Sequence, residues 1–206
     1  MEKAVKYDVV VIGAGAAGFM CAIEAGKRGK SVCLIDHSTK IAEKIRISGG
    51  GRCNFTNLNT NPSCFLSNNK NFCKSALSQY TQFDFIELVD RYKIKFHEKK
   101  LGQLFCDNSS NEIINMLLSE SRKYNVTLKM NTKVEKINCL SKAYEIKIKD
   151  IVIQCKSLVI ASGGLSIPKI GASAFGYDIA SQFNINIIKT SPGLVPLQFD
   201  QDLLTG

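Results

Sequence analysis

The chain opens with a β-branched run, Tyr7–Ile12, apolar at almost every position, the pattern of a parallel strand buried on both faces. The run breaks at Gly13. Ala16–Lys27 then carries helix-forming residues, with alanines and Gly18 where close packing is needed, and Ser31–Asp36 is a second short apolar run. Strand, helix and strand predict a βαβ unit with a right-handed crossover. Further along, Thr81–Tyr92 is amphipathic at helical spacing behind a Thr-x-x-Asp start. The segment "SSNEIINMLLSESRKYN" predicts another helix, with Ser109 or Ser110 near its cap. Strand patterns follow. Val126–Met130 reads as a third parallel strand, and Lys133–Asn138, Tyr144–Lys149 and Ile151–Cys155 alternate as a β-meander over about residues 133–155. "KSLVIASGG" is an apolar strand ending in small residues, and Ser173–Phe183 reads as a short helix. Pro192 and Pro196 shape an extended segment near the C-terminus. The Asn/Ser-rich stretch Asn54–Asn71 reads as an irregular excursion.

The alternation of strands with helical patterns predicts an α/β fold built on a parallel sheet. With 206 residues, the chain is long enough for one well-buried domain with a small appendage. The formal charge of +9 comes from lysines scattered through nearly every segment, so it reads first as solubilising charge; an anionic cofactor or RNA is also compatible with it. The N-terminus lacks both a signal-peptide pattern and a membrane-spanning run, so a cytoplasmic protein without a membrane partner is expected. Eight cysteines form no C-x-x-C pair, and His37 and His97 are the only histidines. No metal site is therefore expected, and the thiols read as reduced.

Chemistry concentrates where the first strand breaks. Gly13, Gly15 and Gly18 supply G-x-G-x-x-G spacing, with Ala14, Ala16 and Ala17 between them. The spacing serves a tight turn, close approach of a pyrophosphate to the backbone, and close helix–strand contact. The helix N-terminus then faces the phosphates. Asp36, at the end of the second strand, stands where an acid accepts hydrogen bonds from a ribose diol. The motif does not separate FAD from NAD(P). A second glycine cluster, "ISGGGRCNFTN", sets Gly49, Gly50 and Gly51 between Ser48 and Arg52, followed by Cys53 and Asn54. Three consecutive glycines suit neither a helix nor a strand interior, but they let backbone amides approach a ligand.

Together "GAGAAG", "ISGGGRCNFTN", "IASGGLSIPKIGASAFGYDIA" and "PGLVPL" resemble the bacterial NAD(P)/FAD-dependent oxidoreductases of the aminoacetone-oxidase or BaiN-like type. The resemblance implies a Rossmann-like FAD-binding fold of the glutathione-reductase kind, with the meander as a crossover between sheet strands. Residues 1–190 would form the FAD-binding domain, and 191–206 would begin a second, missing substrate or cap region. It also implies that Gly13, Gly15, Gly18 and Asp36 hold the ADP end. Ser48, Gly49, Gly50, Gly51, Arg52, Cys53 and Asn54 would line the flavin or its pyrophosphate. Val134 would contact adenine through its backbone, and Ala161, Ser162, Gly163 and Gly164 would form a turn beside the cofactor. Two segments depart from the family pattern: Gln103 and Cys106 replace an Arg and a Pro, and Phe183 and Asn184 stand where a Gly-His pair is usual.

Family members run considerably longer, so the expectation is the truncated, N-terminal FAD-binding portion of a flavoprotein oxidoreductase, with a separate chain able to supply the rest. Flavin-mediated hydride or electron transfer would act on an unknown small molecule, with NAD(P)H as a candidate electron donor. Two alternatives stand beside it: a non-catalytic remnant or nucleotide-binding module, and flavin-dependent reduction of uridine in RNA. An NAD(P)-only dehydrogenase leaves "SGGGRCNFTN" unexplained. No side chain stands out as a general base. His37 and His97 read as solvated, and Cys53, lacking a second cysteine at relay spacing, reads as a packing residue.

Overall fold

The computed structural model describes residues 4–149, 151–167 and 171–191. Its strands and helices follow in chain order. They are β1 (Val5–Ile12), α1 (Ala16–Lys27), β2 (Val32–Ile35), α2 (Glu43–Ile47), β3 (Asn54–Asn57), α3 (Lys74–Gln79), α4 (Gln82–Arg91), β4 (Phe96–Glu98) and β5 (Gln103–Cys106). After them come α5 (Asn111–Lys123), β6 (Thr127–Lys129), β7 (Lys136–Cys139), β8 (Tyr144–Ile148), β9 (Ile151–Ile160) and α6 (Phe175–Gln182).

Six strands make the main sheet in the order β6-β2-β1-β9-β8-β7. The β1 strand lies at its centre, parallel to both β2 and β9. Strand β6 extends the parallel part beyond β2, and β8 and β7 continue the sheet antiparallel on the other side. This is a Rossmann-like α/β fold. Alternation along β1 sends Val10 and Ile12 into one core and Val11 into the other. On one face Val11 packs with Phe19, Ile23, Leu34, Met116 and Leu117 from α1, β2 and α5. On the opposite face Val10 and Ile12 meet Ile137, Ile146 and Ile153 from the meander. Phe19 is fully buried, a contribution of about 2 kcal/mol from that one side chain.

The expected meander differs from the observed one at both ends. It starts at Lys136, and its last strand continues without a break from Ile151 to Ile160. "IVIQC" and "KSLVI" are therefore one ten-residue strand. Its first half pairs with β8 from Tyr144↔Cys155 to Ile148↔Ile151, while the strand pairs along β1 from Val5↔Ile153 to Ile12↔Ile160. The change from alternating to continuous apolar pattern at Lys156 marks a change of neighbours, not a break in the strand. The meander is thus an extension of the parallel sheet.

The expected irregular excursion begins with a strand. Asn54–Asn57 pairs antiparallel with β5, giving a second sheet of order β3-β5-β4. The rest holds a short 3-10 turn at Pro62–Cys64, whose entry is fixed by the Asn61 side chain accepting the Ser63 N–H at 2.9 Å. Helix α4 carries the predicted capping box, with Thr81 and Asp84 bonding each other's backbone N–H. At α5 Ser109 supplies the expected cap: its Oγ accepts the Asn111 N–H at 3.2 Å, and Glu112 Oε2 accepts the Ser109 N–H at 3.4 Å. The Ser110 hydroxyl instead donates to the Arg46 carbonyl at 2.8 Å, tying α5 to α2. The Pro192/Pro196 segment lies outside the described residues, as does nearly all of the expected second region.

Candidate functional site

The C-terminal ends of β1, β2 and β9 converge, as expected for a ligand crevice in an open parallel sheet. The turn after β1 is locked into place from three sides. Gly13 N–H donates to the Ile35 carbonyl at 2.7 Å, and Ala161 N–H donates to the Ile12 carbonyl at 2.7 Å. The third contact is Ala14 N–H to Asp36 Oδ2, also 2.7 Å. Gly13 sits at φ +113°, and a Cβ there would collide with the Ala161 carbonyl. Gly18 has the same constraint from the opposite direction, since a Cβ would run into the Gly13 carbonyl. Around Gly15 there is open space. These are three different reasons for three glycines: backbone conformation and strand contact, helix–turn contact, and access.

Gly15 is the N-cap of α1, whose first turn has neither a side-chain cap nor an acidic residue. An uncapped helix start presents backbone N–H groups and the positive end of the helix dipole. It opens onto a cleft of about 410 Å3. Gly13, Ala14, Gly15, Ala16 and Ala17 line one side of this cleft, Asp36 its end, Ser48, Cys53 and Asn54 another side, and Ala161, Ser162, Gly163 and Gly164 a third. Four segments far apart in sequence thus meet around one space.

Val134 lies in an adjoining cavity of about 360 Å3 with Thr132 and Lys133. Gly13, Asp36, His37 and Ser162 border both spaces, so the two are contiguous at the end of β1. Gly18 stands behind the turn as a packing residue. Gly49, Gly50, Gly51 and Arg52 do not line the cleft. Gly49, Gly50 and Gly51 all have positive φ, and Cys53 N–H closes the turn onto the Ser48 carbonyl at 3.0 Å. The turn therefore points the two ends of "SGGGRCN" inward and its middle outward.

Several lining residues carry no motif: Met20, Lys44, Ile45, Phe55, Phe85 and Leu117. Their apolar members read as ordinary core positions, and only the fold brings them to the cleft wall. Lys44 is cationic and donates to Ser166 Oγ at 2.9 Å, beside Gly163. On the same short helix Glu43 lies 3.4 Å from Arg46, whose guanidinium also donates to Asn111 Oδ1 at 2.6 Å.

Burial pushes the Cys53 thiol above its ordinary value. Its neighbour Cys106 is pushed up to about 12, by burial first and by Cys53 second. A neutral, buried thiol is a poor nucleophile and a poor relay. His37 is largely exposed, 3.5 Å from Asp36. His97 is exposed, as expected, and has two neighbours: its Nδ1 lies 2.7 Å from Asp107 Oδ1, and its ring stacks on Phe105. Among the described residues no group of His, Cys, Asp and Glu could hold a metal ion, and no helix is long and apolar enough to cross a membrane.

A parallel sheet, a glycine turn leading into an uncapped helix, and an acid at the end of the neighbouring strand define a Rossmann-type protein. Residues 7–201 match the HI0933-like protein Rossmann domain, and the chain belongs to that family. It is 48% identical over 199 residues to an Escherichia coli protein named ribosomal RNA dihydrouridine synthase, covering 97% of this chain and 50% of that protein. A Haemophilus influenzae protein of the same name is 45% identical over 194 residues, covering 92% of this chain and 48% of that one. The chain spans about half the length of these curated relatives. Among solved structures, NikD, an unusual amino acid oxidase essential for nikkomycin biosynthesis, is similar with a TM-score of 0.55 at 12% identity. That similarity covers 79% of this chain and 53% of NikD and concerns the fold alone.

Proposed function

We propose that this chain forms the FAD cradle of a flavin-dependent oxidoreductase, and that the substrate of the complete protein is a uridine in ribosomal RNA. The observation that carries the cofactor reading is the uncapped start of α1 at Gly15, open to a cleft that continues past Asp36 toward Val134. A pyrophosphate on this helix start would meet backbone N–H groups, with no side chain at Gly15 to obstruct it. The space fits an elongated dinucleotide better than a compact ligand, because two contiguous cavities lie on either side of Gly13.

On this reading Gly13–Ala17 hold the pyrophosphate, and Asp36 accepts from the ribose of the ADP end. The backbone around Val134 borders the adenine, and Ala161–Gly164 with Ser48, Cys53 and Asn54 enclose the flavin end. When bound there, FAD supplies two-electron hydride chemistry. The chain's own contribution is positional. Asp36 holds Ala14 in the turn, Ser48 closes the glycine loop through Cys53, and Phe55, Phe85 and Leu117 give the cleft a dry wall. Lys44 puts a cation beside Gly163, able to offset negative charge in the cleft. NAD(P)H is the proposed electron donor.

The names of relatives near half identical support the RNA substrate, and they favour it over the aminoacetone-oxidase or BaiN-like type of activity. The net charge of +9 is consistent with a polyanionic partner. The test has two readouts. The purified chain with added FAD should give a bound-flavin absorption spectrum, and denaturation should release FAD. Expression of the chain joined to the C-terminal half of the Escherichia coli relative, in a strain lacking that relative, should restore dihydrouridine in digested ribosomal RNA. Flavin uptake without restored dihydrouridine would leave the cradle and remove the RNA substrate. A folded chain that takes up no FAD would replace both with the non-catalytic remnant.

A further inference from the structure

The glycine turn Ser48–Asn54 has an outer side that the FAD reading does not use. Gly50 and Gly51 have no atom within 4 Å of where a Cβ would stand, so this backbone is open. Gly49, by contrast, packs on Phe105: a Cβ there would come within 2.7 Å of the ring. Phe105 belongs to β5, whose neighbours are β3 on one side and β4 on the other. The register pairs Asn54 with Phe105 and Phe105 with His97. A residue of the cleft wall is therefore separated from His97 by the single strand β5.

Strand alternation gives the hairpin two unlike faces. Phe96 turns to the core side and meets Phe55 edge-on at 5.4 Å. Lys95, His97 and Lys99 alternate with it and belong to the other side. There the His97 ring stacks on Phe105, centroids 6.3 Å apart and planes 19° from parallel. Lys99 Nζ lies 5.3 Å from the same ring's centre. Phe105 is a buried floor, 7% exposed, and His97 is the half-exposed ring above it. Arg52, Lys95, Lys99 and Lys100 are exposed. Among the described residues none of these four forms an ion pair. Both acids beside this face are engaged, Glu98 by the Gly102 N–H at 2.8 Å and Asp107 by His97 Nδ1 at 2.7 Å.

We propose that this face, the outer side of the Ser48–Asn54 turn together with the β4 side of the hairpin, is a docking surface for single-stranded RNA. Arg52, Lys95, Lys99 and Lys100 take the phosphates, and the His97 ring gives a base a surface on which to stack. Cations tracking a backbone beside an aromatic ring are the pattern by which single strands are held without sequence readout. The location adds the functional sense, because RNA held here lies beside Asn54 at the edge of the cleft. The meander also carries lysines, with Lys136 on the edge strand β7 directly opposite Lys147 on β8, at the far end of the sheet in strand order. Glu135 also lies 3.9 Å from Lys147.

The inference rests on RNA as the substrate, and the experiment separates the two. Binding of a fluorescein-labelled, uridine-rich single-stranded RNA is followed by anisotropy across a salt series. The variants are K95E/K99E/K100E, H97A and, as a control, K136E/K147E; circular dichroism and thermal melting check their folding. The hairpin triple variant should bind at least about tenfold more weakly, and its salt slope should fall by about 2, the loss expected for three phosphate contacts to a single strand. H97A should lose affinity at an unchanged salt slope, which a purely electrostatic surface would not do. The control should bind like the wild type. Wild-type affinity in both the triple variant and H97A overturns the docking surface while leaving the RNA substrate in place. An equal loss in the control overturns it in favour of general charge. Absence of RNA binding by the wild-type chain overturns both readings. If the triple variant does not fold, H97A and K99E alone decide the matter by the same criteria.

Discussion

The carboxylate of Asp36 accepts the backbone N–H of Ala14 through Oδ2 at 2.7 Å and the N–H of Ser38 through Oδ1 at 2.8 Å. The acid at the end of β2 is thus a structural part of the glycine turn after β1, in addition to its proposed place beside a ribose. Replacing Asp36 with Ala leaves two backbone donors without their charged acceptor, at a cost of about 2 kcal/mol. Asp36→Asn keeps one acceptor oxygen and should cost less. Both should weaken FAD uptake, Asp36→Ala by at least about tenfold, a factor worth 1.4 kcal/mol. Denaturant unfolding and flavin titration read the two effects separately.

Gly18 and Gly15 should separate stability from binding. A methyl group at Gly18 collides with the Gly13 carbonyl, so Gly18→Ala must push α1 away from β1. A loss of about 3 kcal/mol is expected, at the upper end for overpacking because the obstacle is backbone. At Gly15 the φ of −91° suits any residue, and a Cβ meets nothing within 4 Å. Gly15→Ala should therefore change stability by less than about 0.5 kcal/mol. Its methyl group would nonetheless stand in the cleft, and FAD affinity should fall. Melting curves and flavin titrations of the two variants should rank them in opposite order.

The cysteines should divide by burial. Cys64 and Cys139 are exposed, whereas Cys33, Cys53, Cys106 and Cys155 are buried. Burial holds all four buried thiols above their ordinary value, Cys33 at about 11 and Cys106 at about 12. Because the thiolate is the reactive form, a raised value means less thiolate at neutral pH and slower alkylation. Brief iodoacetamide treatment of the folded chain, followed by peptide mass spectrometry, should find label on Cys64 and Cys139 first. Label on Cys53 or Cys106 at comparable rate would contradict the buried, neutral thiols beside the cleft. In denaturant all eight should react alike.

The strands and helix of the first βαβ unit were legible because their information is local. Tyr7–Ile12 is continuously apolar, and the predicted helix Ala16–Lys27 coincides with α1. The spacing of Gly13, Gly15 and Gly18 and the position of Asp36 could be read for the same reason: a turn between adjacent elements is specified within a few dozen residues. Thr81 with Asp84 is another such case, a capping box written in four residues.

Tertiary structure decided what depends on partners distant in the chain. Nothing at Lys156 reveals that β9 continues, because the strand exchanges its environment as β8 ends and β1 runs on beside it. Asn54–Asn57 looks irregular until β5, some fifty residues later, gives it hydrogen-bond partners. The same pairing divides "SGGGRCN": Ser48, Cys53 and Asn54 face the cleft, while Gly49 is held outward against Phe105. The sequence by itself determined the glycine turn, the acid and the elements around them, since short-range sterics and hydrophobic period suffice for these. Which side of the second glycine loop faces the cleft, and that the exposed His97 ring stacks on Phe105, came only from long-range strand pairing, whose register no local pattern encodes.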